Sequence, residues 1–195
     1  MKNILVVIPA RGGSKGIPRK NIINICGRPL IDYTIRSALQ VDRISDVVVS
    51  TEDEEIAIVS KELGAQVPFI RPEHLATDQA QSAPVVIDAL KEMEKIKNKK
   101  YDAVLMLQPT SPLRTQSHID KAIDLFFSQE CDSVVSVVSV GGTHPFRMKR
   151  LVGNQLINYI DQGFWDMRPR QSLPDAYIRN GAIYLISRDV LVDKQ

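Results

Sequence analysis

Short runs rich in valine and isoleucine, at residues 2–8, 46–50, 103–107 and 133–140, alternate along this chain with segments of helical apolar spacing. An apolar run without polar alternation fits a strand covered on both faces, as in a parallel sheet. Parallel neighbours need a crossover of a dozen or more residues, and the intervening segments supply it as helices. Residues 29–39 set Leu30, Ile31, Ile35, Ala38 and Leu39 at helical spacing, with Pro29 as a good first-turn residue. Thr51 with Glu54 resembles a capping box opening a second helix, which Gly64 can end. Residues 66–70 read as a further short strand. A helix over 82–97 gathers Val85, Val86, Ala89, Leu90 and Met93 on one side, and Thr115 caps another that reaches about residue 129. The prediction is an α/β fold, a mostly parallel sheet with helices on both faces.

After residue 140 the pattern changes to short amphipathic pieces, a Gly153-Asn154 turn and scattered aromatic and basic residues. Residues 180–186 then return to a buried-strand pattern, and Ser187 begins a last helix. The reading is one domain from 1–140 plus 175–195, with 141–174 as an inserted lobe. A chain of 195 residues supports one sizeable core and at most a small second lobe. Its 44% apolar and 25% charged residues are those of an ordinary soluble globular protein. A net charge of +2 gives no reason to expect nucleic acid as a partner. No apolar run is long enough for a membrane span, and the N-terminus enters a strand without a signal-like segment, so neither membrane nor secretion is expected. Cys26 and Cys131 lack metal-ligand spacing and fit a reduced, cytoplasmic protein. Lys95, Lys97, Lys99 and Lys100 suit the negative pole of the preceding helix, or form a binding patch.

The segment after the first strand places Arg11, Lys15, Arg19 and Lys20 among Gly12, Gly13 and Gly16. Small residues let backbone N–H groups approach phosphate oxygens, and the cations neutralise their charge. The spacing matches neither G-x-G-x-x-G nor the Gly-Lys-Ser/Thr phosphate loop. Two further polar segments fall at strand ends, residues 108–114 and those around Asp78. Ligands of open parallel sheets bind beyond such ends. The residues alone point to a nucleotide or phosphate ligand at one edge of the sheet.

Ala-Arg-Gly-Gly-Ser-Lys-Gly-Ile-Pro-Arg-Lys-Asn at 10–21 closely resembles the first motif of the bacterial CMP-sialic acid synthetases, the acylneuraminate cytidylyltransferases. Leu-Gln-Pro-Thr-Ser-Pro-Leu-Arg at 107–114 resembles their central motif. Arg71-Pro72 with Asp78, Ala80 and Ser82, and Asn-Gly-Ala-Ile-Tyr at 180–184, resemble two more, in family order across about residues 4–186. The resemblance implies a Rossmann-like domain whose inserted lobe makes a homodimer. It implies a reaction in which CTP and a nine-carbon 2-keto sugar acid give the CMP-sugar and pyrophosphate, with Mg²⁺ as the expected ion. Arg11, Lys15 and Lys20 would be catalytic, holding phosphates with Ser14 beside them. Arg71, Ala80 and Ser82 would complete the CTP site at the cytosine. Gln108, Arg170 and Asn180 would contact the sugar acid, whose carboxylate suits a bidentate arginine. Asp78 is either a ligand contact or the cap of the following helix. Arg19 reads as surface charge, and Arg114 as a tie from its loop to a helix end.

Two departures bear on substrate and metal. Sialic-acid members often carry an arginine where this chain has Ile178, and the adjacent Arg179 should point the other way in an extended segment. That weakens the match at the sugar and points to a related nonulosonic acid such as legionaminic acid. Family members also continue to an Asp-x-Asp motif that holds Mg²⁺. Asp189 and Asp193 do not match it, so no metal ligand is visible and the carboxylates are expected in a C-terminal segment beyond this sequence. The alternatives are 3-deoxy-manno-octulosonate cytidylyltransferase, whose motif usually has Arg-Leu-Pro where this chain has Lys-Gly-Ile-Pro at 15–18, and a CTP-binding domain without turnover. None of His74, His118 and His144 lies in a matched motif, so no general base is identified.

Overall fold

The computed structural model describes residues 2–14, 16–161, 163 and 166–193. In chain order the elements are β1 (Ile4–Pro9), β2 (Asn24–Ile25), β3 (Arg28–Pro29), α1 (Leu30–Leu39), β4 (Asp46–Ser50), α2 (Glu54–Glu62) and α3 (Ser82–Lys97). They continue with β5 (Ala103–Met106), α4 (Gln116–Ser128), β6 (Ser133–Ser139), β7 (Lys149–Val152), β8 (Gln155–Asn158), β9 (Tyr177–Ser187) and α5 (Arg188–Asp193). Two compact units result: one runs up to Ser136 and resumes at Gly181, and the other spans Val137–Asn180.

The larger unit is built on a sheet of order β4-β1-β5-β9-β6. β1 pairs in parallel with β4 (Val6 opposite Val47) and with β5 (Leu5 opposite Val104). β9 joins antiparallel to β5, Leu105 facing Leu185, so the sheet is mostly parallel with a reversed strand. Successive strand residues point to opposite faces, and each face has its own helices. Ile4, Val6, Ile8 and Leu105 pack with Ile31 and Ile35 of α1, Ile56 of α2, and Ile119 and Ile123 of α4. Leu5, Val7 and Val104 pack with Val86, Leu90 and Met93 of α3 and Leu191 of α5. Each such side chain, fully buried, contributes roughly 1.5–3 kcal/mol. Among the described residues no helix is long and apolar enough to cross a membrane.

Three local readings are corrected. The N-cap of α2 is Asp53, whose carboxylate accepts from Ile56 N at 2.9 Å, rather than Thr51 in a capping box. Thr51 Oγ1 instead accepts from Asp53 N at 3.1 Å. Residues 66–70 form no strand: only Gln66 bridges to Val48 before the chain turns away. Pro29 precedes α1 rather than filling its first turn, because it pairs with Asn24 in the small β2–β3 hairpin. The cap of α4 at Thr115 is made as a reciprocal box with His118.

In the smaller unit β7 and β8 pair antiparallel around Gly153, whose φ of 59° suits a residue without Cβ. His144 is buried there between the Phe146 N–H, which donates to Nδ1, and the Pro174 carbonyl, 2.9 Å from Nε2.

At the N-terminal ends of the strands, Lys97 at the end of α3 and Lys99 and Lys100 just after it neutralise buried carboxylates, a more specific role than facing a helix pole. Asp46 accepts from Tyr101 Oη at 2.8 Å and lies 2.8 Å from Lys99 Nζ and 3.2 Å from Lys97 Nζ. Burial alone would raise its pKa, but hydrogen bonds from Lys99, Gln66, Tyr101 and Lys97 outweigh it and hold the group at about 2. Burial likewise works against ionised Glu94, yet Arg188, Lys100 and the Tyr101 N–H bring it to about 2. Both pKa values are depressed, so the stability they contribute is present above the unfolded carboxylate range and is lost as pH falls through it toward 2. Asp46→Asn is therefore expected to cost on the order of 2 kcal/mol at pH 7 and far less near pH 2.5, measured by urea unfolding at both pH values. An equal cost at the two would refute the linkage.

Candidate active site

β4 lies on one side of β1 and β5 on the other, so the loops after β1 and β5 leave the sheet in a crevice. This reversal of strand order is where open α/β sheets bind ligands. A cleft of about 330 Å³ opens there. It is lined by Arg11, Ser14, Lys20 and Asn21 after β1, by Arg71, Thr77, Asp78, Ala80 and Ser82 before and at the start of α3, and by Gln108 and Thr110 after β5.

The loop after β1 is fixed from beneath by carboxylates. Gly12 N donates to Glu52 Oε1 at 2.8 Å, and a Cβ on Gly12 would fall 2.2 Å from Asp53 Oδ2. Only glycine allows that approach. Arg19, in the left-handed region at φ 52°, donates to Asp53 at 3.0 Å and pairs with Glu55. It is thus an anchor to the start of α2 rather than idle surface charge, and its hydrogen bond is the main reason the Asp53 pKa is lowered. Buried Asn21 closes the loop, its Nδ2 donating to Arg11 O at 2.9 Å. These contacts leave Lys20 on the cleft with no ion pair among the described residues.

Arg11 Nη1 stands 2.5 Å from Asp78 Oδ1. Asp78 therefore meets the loop cation rather than capping α3, whose N-cap is Gln81 without a side-chain bond. An anion reaching Arg11 must compete with that carboxylate, while the uncapped start of α3 at Ser82 offers N–H groups of favourable polarity. Arg71 is only 4% exposed. Its Nε donates to Ser50 Oγ at 3.0 Å, its Nη2 to Ser50 O, and Glu52 lies 4.0 Å from Nη1. Burial lowers its pKa, and its guanidinium serves as a rigid edge bound to the end of β4.

Gln108 leaves β5 and lies against Gly181. That residue has φ 79°, and a Cβ there would come within 2.8 Å of Gln108 Oε1. Arg114 ties its loop to β9 as well as to α1, through Ala182 O at 2.7 Å and Thr34 Oγ1 at 2.7 Å.

Of the residues singled out from sequence, Arg11, Ser14, Lys20, Arg71, Ala80, Ser82 and Gln108 meet on this cleft of the larger unit. Lys15 lies outside the described residues. Arg170, exposed in the turn Arg170–Ser172, and Asn180 belong to the smaller unit. Sequence reasoning missed Asn21, Glu52 and Thr110. Asn21 stood at the end of the quoted motif and its type alone favours loop closure, whereas nothing in the sequence marks Glu52.

A model of the cytidylyltransferase family matches residues 5–161. The chain belongs to that family. A pseudaminic acid cytidylyltransferase of Campylobacter jejuni is 38% identical over 94% of this chain and 78% of its own length. A CMP-N,N'-diacetyllegionaminic acid synthase of Legionella pneumophila is 35% identical over 98% of this chain and 81% of its own. Among solved structures, a CMP:2-keto-3-deoxy-manno-octonic acid synthetase complexed with CTP superposes with a TM-score of 0.73 at 20% identity, covering 100% of this chain and 77% of that one. That last likeness is one of fold.

Cytidylyltransferases are nucleotidyltransferases, and the chemistry of the cleft suits charge-rich ligands. The expected Mg²⁺ finds no cage: no group of three or more His, Cys, Asp or Glu side chains comes together among the described residues. Asp78, an acidic side chain on the cleft, is engaged by Arg11. His118 is spent on the cap of α4, and His144 lies in the smaller unit.

The Gly12 contact carries a direct test. Gly12→Ala must push against the Asp53 carboxylate and is expected to destabilise by about 1–3 kcal/mol. Gly13→Ala, whose Cβ meets nothing within 4 Å, should stay within about 0.5 kcal/mol of the parent chain in the same urea titration. Equal losses would show that the loop is not packed as described.

Proposed function

We propose that this chain transfers the cytidylyl group of CTP to a nonulosonic acid, a nine-carbon 2-keto sugar acid, releasing pyrophosphate. The observation that carries the reading is the meeting of Arg11, Ser14, Lys20, Arg71, Ala80, Ser82 and Gln108 on one cleft at the strand-order reversal of a cytidylyltransferase. Relatives named for pseudaminic and legionaminic acid, alike over nearly the whole chain, supply the sugar class. The 3-deoxy-manno-octulosonate alternative rests on likeness of fold alone.

In this reading the anomeric hydroxyl of the sugar acid attacks the α-phosphorus. The new C–O–P bond forms as the bond to the bridging oxygen of the pyrophosphate breaks, and the hydroxyl proton passes to solvent. The chain contributes position and charge. Lys20, with no ion pair among the described residues, faces the phosphates, and Arg11 reaches them by exchanging Asp78 for a phosphate oxygen. Ser14 and the loop backbone supply donors, Arg71 with Ala80 and Ser82 forms the wall for the cytosine, and Gln108 faces the sugar acid.

The smaller unit also exposes Leu151, Val152, Leu156 and Tyr159, apolar groups that a second copy of the chain would cover, and the protein acts as a homodimer. The free thiols Cys26 and Cys131 suit a cytoplasmic enzyme.

Incubated with CTP, Mg²⁺ and pseudaminic, legionaminic or N-acetylneuraminic acid in separate reactions, the chain should release pyrophosphate with at least one of them. Lys20→Ala should lower kcat/KM by about 10²–10³-fold, the scale for removing a group that stabilises transition-state charge. CTP binding by calorimetry without pyrophosphate release from any of the three sugars would sink the proposal, as would a clear preference for 3-deoxy-manno-octulosonate.

A further inference from the structure

Arg114 is a residue whose burial the fold alone does not explain. It is 5% exposed, and burial pulls its pKa down to about 10 with no compensating carboxylate among the described residues. Its Nε has no hydrogen-bond partner among the described residues. A buried cation held only by neutral oxygens is destabilising relative to a well-packed apolar side chain of similar volume. Stability is therefore a poor reason for an arginine here.

The partners of the guanidinium suggest a better one. Nη1 donates to Ala182 O at 2.7 Å and to Gln108 O at 3.3 Å, and Nη2 donates to Thr34 Oγ1 at 2.7 Å. A forked, planar donor can hold β9, the loop after β5 and α1 at once, whereas an ammonium is a single point. The two carbonyls bracket one side chain. Gln108 O belongs to the glutamine on the cleft, and Ala182 O follows Gly181, against which the Gln108 carboxamide rests. The Ser111 N–H adds a second donor to Gln108 O at 3.3 Å, so this carbonyl is held from two sides.

We propose that Arg114 is a positioning residue for Gln108: by bridging the carbonyls of Gln108 and Ala182, it keeps the Gln108 carboxamide seated on Gly181 and presented to the cleft. The inference rests on the cytidylyl-transfer reading, in which Gln108 faces the sugar acid. It adds a residue that never touches substrate yet sets how well the sugar acid is held.

The test is a double-variant cycle with separate substrate titrations. Arg114→Lys keeps a cation but loses the fork, and should raise the KM for the sugar acid roughly tenfold to a hundredfold, the scale of an ångström-sized misplacement. The KM for CTP should stay within about twofold, since uniform binding is lost only where contact is lost. Because the effect acts through Gln108, combining it with Gln108→Ala should be no worse than Gln108→Ala alone. Thr34→Val removes only the third contact and should lower the thermal midpoint while leaving the sugar KM unchanged. If Arg114→Lys does not fold, Gly181→Ala displaces Gln108 from the other side with Arg114 intact, and should raise the same KM. A CTP KM that rises in step with that for the sugar, additive losses in the double variant, or an unchanged sugar KM in Gly181→Ala would each overturn the proposal. A parent chain that binds CTP but turns over no nonulosonic acid fails the cytidylyl-transfer reading itself, before any variant is compared, and removes this inference with it.

Discussion

The parallel pairing of β1 with β4 on one edge and β5 on the other is the constraint on which the rest depends. A central strand paired on both sides and buried on both faces cannot shift register without exposing Ile4, Val6 and Ile8 or Leu5 and Val7. Its C-terminal end is therefore a fixed point. Because the neighbouring strands are reached by crossovers in opposite directions, the loops that follow β1 and β5 part above it. The cleft is the space between them, and its cations are placed by the sheet rather than by the loops' own preferences.

Around that space the chain uses carboxylates beneath and cations above. Glu52 takes the Gly12 N–H, Asp53 takes Arg19 and the first turn of α2, and Asp78 takes Arg11. At the far end of the sheet the arrangement is reversed in purpose. Asp46 and Glu94 are buried and gather Lys97, Lys99, Lys100 and Arg188, and this fastens the end of α3 to β4 and α5. One end of the fold is stapled by its ion pairs, and at the other Lys20 lines the cleft with no ion pair among the described residues.

Much of this was legible in the sequence where one physical signal dominated. The apolar runs gave β1, β4 and β5, and α3 spans Ser82–Lys97 because its apolar spacing and its lysine-rich end agree. Legibility failed where two local signals competed. Thr51 and Asp53 both suit an N-cap, and Asp53 holds the position in a structure where Arg19, distant in sequence, also binds it. The motif residues Arg11, Lys20, Arg71 and Gln108 were legible through resemblance, yet their partners were not. Asp78 on Arg11, Ser50 on Arg71 and Gly181 against Gln108 are tertiary pairings between segments separated in sequence, and no periodicity encodes them.

The contact between Arg11 and Asp78 has a consequence for the approach of a ligand. Seen from more than a few ångströms away, a guanidinium and a carboxylate 2.5 Å apart present a dipole rather than a charge. On the reading proposed above, a polyanion approaching the cleft would be drawn by Lys20 and the loop donors, and Arg11 would add its pull once Asp78 had given way. In that reading the attraction of Arg11 would act late, as retention rather than recruitment.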